Sequence, residues 1–405
     1  MQDSQRKSIK GLIYIQLLAF SSFTPMNYYN VYLREIGFDS TQLGFWGAAL
    51  GLTGMCALSV WGLISDKTRS PRLMFLFSMA IYAIVFTLIP FAGSNFAKTA
   101  IPLYILILLY GSVKEPTHSL QDAWMISTIA PFRGVSYASI RMWGSLGFGI
   151  ISILFSLVSD ALGISKVFYA APILVLPTII LLLTFKQPET ASSVKRTETV
   201  KINPLTLFKN YYYVTALIMT LVLGTYVGMT QSFYAYILEN AGVSPGQVGL
   251  ISGYGSLLQV GCMWAVGKYC RNIPAPKLLI IGGLFGVLEN VMYGLSSGLG
   301  MLMIAATFWG FAISARVSVL PSYLFSLVPR EYTASAQTLN STVVMMLSVI
   351  GNILGGFLVA NMGIVRYNFT VAAAQALLIL LFSLSIPFGQ KVLKIPPPAA
   401  VTGHE

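Results

Sequence analysis

Apolar runs of about 20 residues or more follow one another along this chain, separated by short polar breaks. The runs are read as spans from Ile9 to Leu33, Thr41 to Ser65, Leu73 to Ala92, Ile101 to Ser127, Val135 to Ser159, Val167 to Phe185, Tyr212 to Leu238, Gln247 to Tyr269, Leu278 to Ser296, Leu299 to Val328, Ser335 to Met362 and Tyr367 to Gly389. A helix needs about 20 apolar residues to cross a hydrocarbon core, whereas a barrel strand needs about ten that alternate in polarity. The pattern therefore predicts an all-α membrane protein of twelve transmembrane helices with no soluble domain left over.

The longest polar stretch, Lys186 to Lys209, falls between the sixth and seventh spans. It predicts a six-helix bundle over 1–186, a cytoplasmic linker over 187–210, a second six-helix bundle over 211–391 and a cytoplasmic tail over 392–405. A shift of 205 positions aligns Tyr28 to Met74 with Phe233 to Leu279 without a gap. It pairs Tyr29 with Tyr234, Leu33 with Leu238, Gly37 with Gly242, Gln42 with Gln247, Gly44 with Gly249, Gly62 with Gly267 and Pro71 with Pro276. The matches fall at a helix end, an outer turn, a helix start and an inner turn, so the two bundles are expected to be pseudo-symmetric. Repeated halves with a site between them are a transporter architecture.

Composition agrees with the pattern, since 56% of the 405 residues are hydrophobic and 9% are charged. The net charge of +12 would suggest nucleic acid in a soluble protein, but its distribution excludes that partner. With both termini cytoplasmic, the inner loops collect most of the basic residues, among them Arg6, Lys7, Lys67, Arg69, Arg72, Arg133, Lys195, Arg196, Lys268, Arg271 and Arg330. The outer loops keep Arg34, Lys98, Lys166 and Arg366. This is the positive-inside bias. Cys56, Cys262 and Cys270 lack paired spacing, so neither a disulfide framework nor a metal site is expected. No cofactor is implied. The first run is longer than a signal-peptide core and no small-residue cleavage pattern follows it, so it is read as a mature helix.

Two segments carry a resemblance. The inner turn Gly62-Leu-Ile-Ser-Asp66-Lys-Thr-Arg69-Ser-Pro-Arg72 is similar to the loop signature of the major facilitator superfamily. In that signature an Asp and basic residues latch neighbouring helix ends, which implies a conformational latch at Asp66, Arg69 and Arg72; the alternative is a solvated turn. The repeat partner has Arg271 in place of Asp66, so a latch there would be degraded. Tyr137-Ala-Ser-Ile-Arg141-Met-Trp143-Gly144-Ser145-Leu-Gly147-Phe resembles a segment of proton symporters related to lactose permease, the nucleoside permeases and the phenylpropionate permeases. There the Arg binds substrate or pairs with a fourth-span carboxylate, which implies Asp122. That group often has a proton-binding Glu on the eighth span, where this chain aligns Gln259, which cannot titrate.

Physical chemistry points to the same residues, because an ionisable group inside a span is costly and needs a partner or water. Arg141 and Asp122 lie about 10 and 9 Å from the cytoplasmic ends of their spans at 1.5 Å per residue. They can meet as a functional pair or as helix glue. Glu115, His118 and Asp122 share one helical face, beside a Pro116 that removes a backbone hydrogen bond and is expected to bend the helix. Glu289 and Arg316 each lie about 18 Å from their cytoplasmic ends and are expected to pair. Glu115, His118, Asp122, Glu289 and Arg316 are thus the candidates for proton coupling. For substrate binding the candidates are Asn27, Tyr28, Arg141, Tyr226, Gln231, Tyr234, Gln337 and Asn340, a set of aromatic faces, amides and one guanidinium. Phe20 and Phe23 flank that cavity, and Tyr29, Tyr32 and Tyr236 read as interfacial anchors.

The functional expectation is a secondary active transporter working by alternating access as a proton-coupled symporter. Its cargo would be a small polar or aromatic solute: a sugar, nucleoside or aromatic acid. The alternatives are a proton-coupled exporter of amphipathic compounds and a non-transporting membrane receptor or scaffold. An enzyme is not expected, since His118 and His404 are the sole histidines and no nucleophile or metal cluster forms. The expected setting is a bacterial inner membrane, multi-pass, with a monomer as the working unit.

Overall fold

The computed structural model describes residues 2–68, 70–95, 101–129, 132, 135, 137–185, 204–270, 272–329 and 332–395. Among them the regular elements are all helical. The chain divides into two compact units, Met1–Arg196 with Ser244–Leu257, and Thr197–Val243 with Leu258–Glu405.

In the first unit α1 (Gln2–Ser22) gives way to a 3-10 turn over Thr24–Tyr28 and resumes as α2 (Tyr29–Glu35). Pro25, within the first turn of that 3-10 segment, has no N–H to continue the ladder, so the helix breaks there. Helices α3 (Ser40–Thr68), α4 (Pro71–Asn95), α5 (Ile101–Ile129), α6 (Tyr137–Leu162) and α7 (Ile164–Thr184) follow. Helix α5 runs on through Pro116. The core is built from large aromatics, with Tyr82, Phe86, Tyr110, Trp124 and Phe168 at 0 to 1% exposure. Tyr29 and Tyr32, expected as interfacial anchors, belong to this core. Tyr29 packs on Tyr110 at 4.9 Å between ring centroids, and Tyr32 packs on Phe168 at 5.1 Å while donating to the Pro90 carbonyl at 3.2 Å. The break at Pro25 turns α2 so that these rings point into the unit. Elsewhere Leu63, Ile101 and Ile173 are more than 70% exposed, an apolar outer surface that suits lipid.

The second unit contains α8 (Tyr211–Thr225), a π turn over Tyr226–Thr230, a 3-10 turn over Gln231–Phe233 and α9 (Tyr234–Asn240). Then come α10 (Val248–Tyr269), whose first residues cluster with the first unit, α11 (Ala275–Leu295), α12 (Leu299–Ser314), a second π turn over Ala315–Val319, α13 (Leu320–Ser326) and α14 (Thr333–Lys391). Helix α14 has 59 residues and joins the last two spans through a kink at Gly363, φ 76°.

The repeat seen in the sequence is reproduced bond by bond. Helices α2 and α9 coincide under the shift of 205, and both end in a Schellman arrangement with glycine in a left-handed conformation. In the first copy the Gly37 N–H donates to the Arg34 carbonyl and the Phe38 N–H to Leu33. In the second, Gly242 donates to Glu239 and Val243 to Leu238. Gly37 has φ 96° and Gly242 φ 65°, a region open to glycine at little cost.

Among the described residues eight helices are long and apolar enough to cross a membrane, or nine if the bent α8–α9 pair is one span. The kinked α14 supplies two crossings in one helix, while α5 carries Lys114, Glu115 and Asp122, and α1 with α2 is split by its break. These readings are consistent with the twelve spans expected.

Candidate functional site

Helices α1, α5 and α6 bring a polar cluster together inside the first unit. Close approach of α6 to α1 is made possible by small residues: a Cβ on Gly147 would stand 2.6 Å from the Leu17 carbonyl oxygen, and one on Gly144 would stand 2.7 Å from the Phe20 ring. This contact carries Arg141 over the face of Phe20, with the guanidinium carbon 3.7 Å from the ring centroid, a cation–π arrangement. The Tyr137 hydroxyl donates to Asp122 Oδ1 and has the Arg141 guanidinium as its other hydrogen-bonding neighbour. Asp122 and Arg141 are thus joined through a phenol. Residue depth along the spans put these two together, and the structure adds the bridging ring one turn before Arg141.

On the same face of α5, His118 lies edge-on to Phe23 at 4.3 Å and against Phe20 at 5.8 Å. Phe20 and Phe23 are 7% and 2% exposed, so they form a buried aromatic wall around the cation and the imidazole. Glu115 pairs with Lys114 at 3.8 Å and packs against Gly54 of α3. It therefore sits on a different contact from Asp122.

Sequence reading passed over an amide pair. Gln16 and Gln121 are both fully buried, and Gln121 Nε2 donates to Gln16 Oε1 at 3.0 Å. Among the described residues Gln16 Nε2 and Gln121 Oε1 have no hydrogen-bond partner. Both lie inside apolar runs, where a polar side chain is costly without a partner.

Asn27 and Tyr28 lie on the 3-10 turn and are committed to packing within the first unit. Asn27 Nδ2 donates to Ser252 Oγ at 3.0 Å, and the Tyr28 hydroxyl, 0% exposed, donates to the Gly246 carbonyl at 3.4 Å. Of the expected latch, the side chains of Asp66 and Arg69 lie outside the described residues. Arg72 donates to the Leu182 carbonyl, near the C-terminal end of α7, where a cation complements exposed carbonyls and the helix dipole.

In the second unit the Tyr226 side chain lies outside the described residues. Gln231 is partly buried and Gln337 exposed. Tyr234 packs edge-on to Tyr293 at 5.7 Å, and Asn340 Oδ1 accepts from Thr220 Oγ1 at 2.7 Å. Arg316 sits in the π turn after α12, a helix irregularity frequent at functional sites. Glu289 is 2% exposed, and its hydrogen-bonding neighbour is Tyr293, one turn along α11, in place of the expected Arg316. Gln375, which lines a small cavity with Glu289, belongs to a chain of neutral groups. Asn290 Nδ2 donates to Gln375 Oε1 at 3.1 Å, Thr230 Oγ1 donates to Asn290 Oδ1 at 3.3 Å, and Gln375 Nε2 donates to the Val222 carbonyl at 3.1 Å and to Thr225 Oγ1.

Known proteins share this architecture. The structure matches the nucleoside transporter NupG with a TM-score of 0.72 at 17% identity, covering 93% of this chain and 98% of that one. An auto-inhibited POT family peptide transporter matches with a TM-score of 0.69 at 11% identity, covering 94% and 96%. In sequence the chain is 22% identical over 395 residues to a maltose permease of Geobacillus stearothermophilus, covering 93% of this chain and 94% of that protein. It is 21% identical over 388 residues to the uncharacterized transporter YwbF of Bacillus subtilis (strain 168), covering 94% and 90%. The family model of the MFS_1 like family matches residues 7–371, so the chain belongs to that family and is a multi-pass membrane transporter of the major facilitator fold, not an enzyme.

Proposed function

We propose that this transporter takes up a small polyhydroxylated or aromatic solute, a sugar or a nucleoside, together with a proton, and does so by alternating access. One observation carries the reading: Arg141 is stacked on Phe20 and tied through Tyr137 to Asp122 inside the first unit. A guanidinium held flat on an aromatic face presents its edge for bidentate hydrogen bonding, and the adjacent phenol and carboxyl group can exchange that bond for one to a solute hydroxyl. The amides of Gln16 and Gln121 lie near this cluster, with one donor and one acceptor unspent. A hydroxyl can satisfy both. The related maltose permease and the structurally similar nucleoside transporter are named for solutes rich in hydroxyl groups, which supports this class of cargo.

Coupling follows from electrostatics. A carboxylate released from its partners inside a membrane protein is costly, so Asp122 takes up a proton when solute competes for Arg141 and Tyr137, and His118 is placed to relay it. The positive-inside distribution of Lys and Arg supports cytoplasmic termini, and the Bacillus and Geobacillus relatives support a bacterial plasma membrane.

Vesicles containing the protein and a pH dye, pulsed with maltose, uridine and phenylpropionate, test this reading. Solute-evoked loss of protons from the outside medium, abolished by Asp122→Asn and by Arg141→Gln, is the expected result. Normal uptake by both variants would make the pair structural.

A further inference from the structure

Among the described residues Glu289 has neither a counter-ion nor a full set of hydrogen bonds, and it lines a small cavity. Its carboxyl group is 2% exposed and one oxygen, Oε1, has no hydrogen-bond partner. The cavity beside it, lined by Glu289, Gln375, Trp309, Leu223 and Ile313 among others, gives a guest centre about 10 Å³ of room. That is enough for about one water molecule and too little for a solute. Gly286, one turn before Glu289, leaves this space open, since a Cβ there would reach Gln375 Nε2 at 3.4 Å.

The elements packed against α11 define the electrostatics of the site. On α11 itself Tyr293 is the hydrogen-bonding neighbour, and Lys277 lies in the first turn of the helix. Tyr211 to Tyr213 of α8, Tyr323 of α13, Arg366, Tyr367 and Lys391 of α14 and Arg316 of the π turn complete the titratable set, and α12 contributes none. Among the described residues no ion pair reaches Glu289. A buried carboxylate without such a pair is strongly disfavoured, so the site selects a guest that cancels the charge. A hard divalent cation such as calcium takes six to eight oxygen ligands. Here the side-chain oxygens of the lining residues are those of the Glu289 carboxyl group and the Gln375 amide, fewer than such a cation takes. A proton on the carboxyl group, with one water accepting or donating at Oε1, fits both the volume and the lining.

The hydrogen bonds beyond the cavity connect it to the break in the seventh span. Gln375 lines the cavity and holds Val222 and Thr225, just before the π turn. Asn290, the residue after Glu289, holds Thr230 at the end of the turn and is bonded to Gln375. The two amides hold residues on both sides of the π turn, and Gln375 lines the same cavity as Glu289.

We propose that the cavity at Glu289 is a site for one proton and one water, and that the π turn over Tyr226–Thr230 reads its occupancy through Gln375 and Asn290. This rests on the proton-coupled reading above and moves the titrating group of the second unit from the eighth span, where this chain has Gln259, to the ninth.

Infrared difference spectroscopy on the full chain in lipid, switched between acid and alkaline buffer at constant sodium, tests the site without a solute. The native protein is expected to show a protonated-carboxyl band that Glu289→Gln lacks, that Glu289→Asp displaces and that added sodium leaves in place. A band retained in Glu289→Gln, or one displaced by sodium, overturns the proposal. If Glu289→Gln fails to fold, an undisplaced band in Glu289→Asp does the same. Amide exchange over residues 226–230, corrected for its intrinsic pH dependence, is expected to differ between the two buffers in the native chain and in Glu289→Asp, and to be unchanged in Glu289→Gln. An equal change in Glu289→Gln removes the link to the turn. Failure of solute-evoked proton movement in vesicles, with the Glu289 band present, would sink the proton-coupled reading and leave this site standing.

Discussion

Tyr137 is the residue on which the first-unit cluster turns, because it touches both Asp122 and Arg141. Replacing it with Phe keeps the ring and removes the bridge, leaving a buried acceptor short of its donor at a cost of about 1–3 kcal/mol. Solute affinity in counterflow is therefore expected to change about tenfold or more, with little loss of folded protein; unchanged counterflow would show that the bridge is incidental. Packing at Gly147 makes a separate demand. A side chain there meets the Leu17 carbonyl and Ser21, so Gly147→Val is expected to destabilise the protein by about 1–3 kcal/mol through overpacking. Gly261→Val, where nothing lies within 4 Å of the added Cβ, is the matched control, and thermal unfolding in detergent compares them. Equal melting of the two variants would refute the close α1–α6 contact.

At the scale of elements, helix breaks recur where the repeat places them. The 3-10 turn after α1 and the π and 3-10 turns after α8 lie at equivalent positions, and each leads into a seven-residue helix that ends on a left-handed glycine. Forcing an L-residue into that conformation costs roughly 1–2 kcal/mol. Gly37→Ala and Gly242→Ala should therefore lower stability by similar amounts, measured as matching shifts in unfolding temperature. A large effect at one and none at the other would argue that the outer turns are not equivalent. Pro25 announces the first break in the sequence. Thr230 occupies the aligned position in the second copy, so no proline marks the second break, which is flanked by side-chain hydrogen bonds from Asn290 and Gln375, residues far along the chain.

For the whole molecule the testable expectation is orientation. From the excess of Lys and Arg over 187–210 and in the inner loops we propose that these segments face the cytoplasm. A single cysteine introduced at Ser192, in a chain with Cys56, Cys262 and Cys270 replaced, should react with a membrane-impermeant maleimide only after cells are opened. A cysteine at Ser297, in the turn between α11 and α12, should react in intact cells. The reverse pattern would invert the topology and with it the assigned direction of proton flow.

Apolar run length and the positions of Pro and Gly determine the helices, their approximate ends, the repeat and the membrane setting, because the hydrocarbon core imposes a length and a polarity on every segment that crosses it. Charges inside spans likewise mark Asp122, Arg141 and Glu289 without any fold, since the cost of burying them makes them conspicuous. What each of them meets is decided by tertiary structure alone. The phenol between Asp122 and Arg141, the pairing of Gln16 with Gln121, the burial of Tyr29 and Tyr32, and the neutral amides that stand beside Glu289 in place of Arg316 all depend on how helices rotate and bend against one another. Rise per residue gives the depth of a side chain in the membrane. The direction in which it points is set by packing.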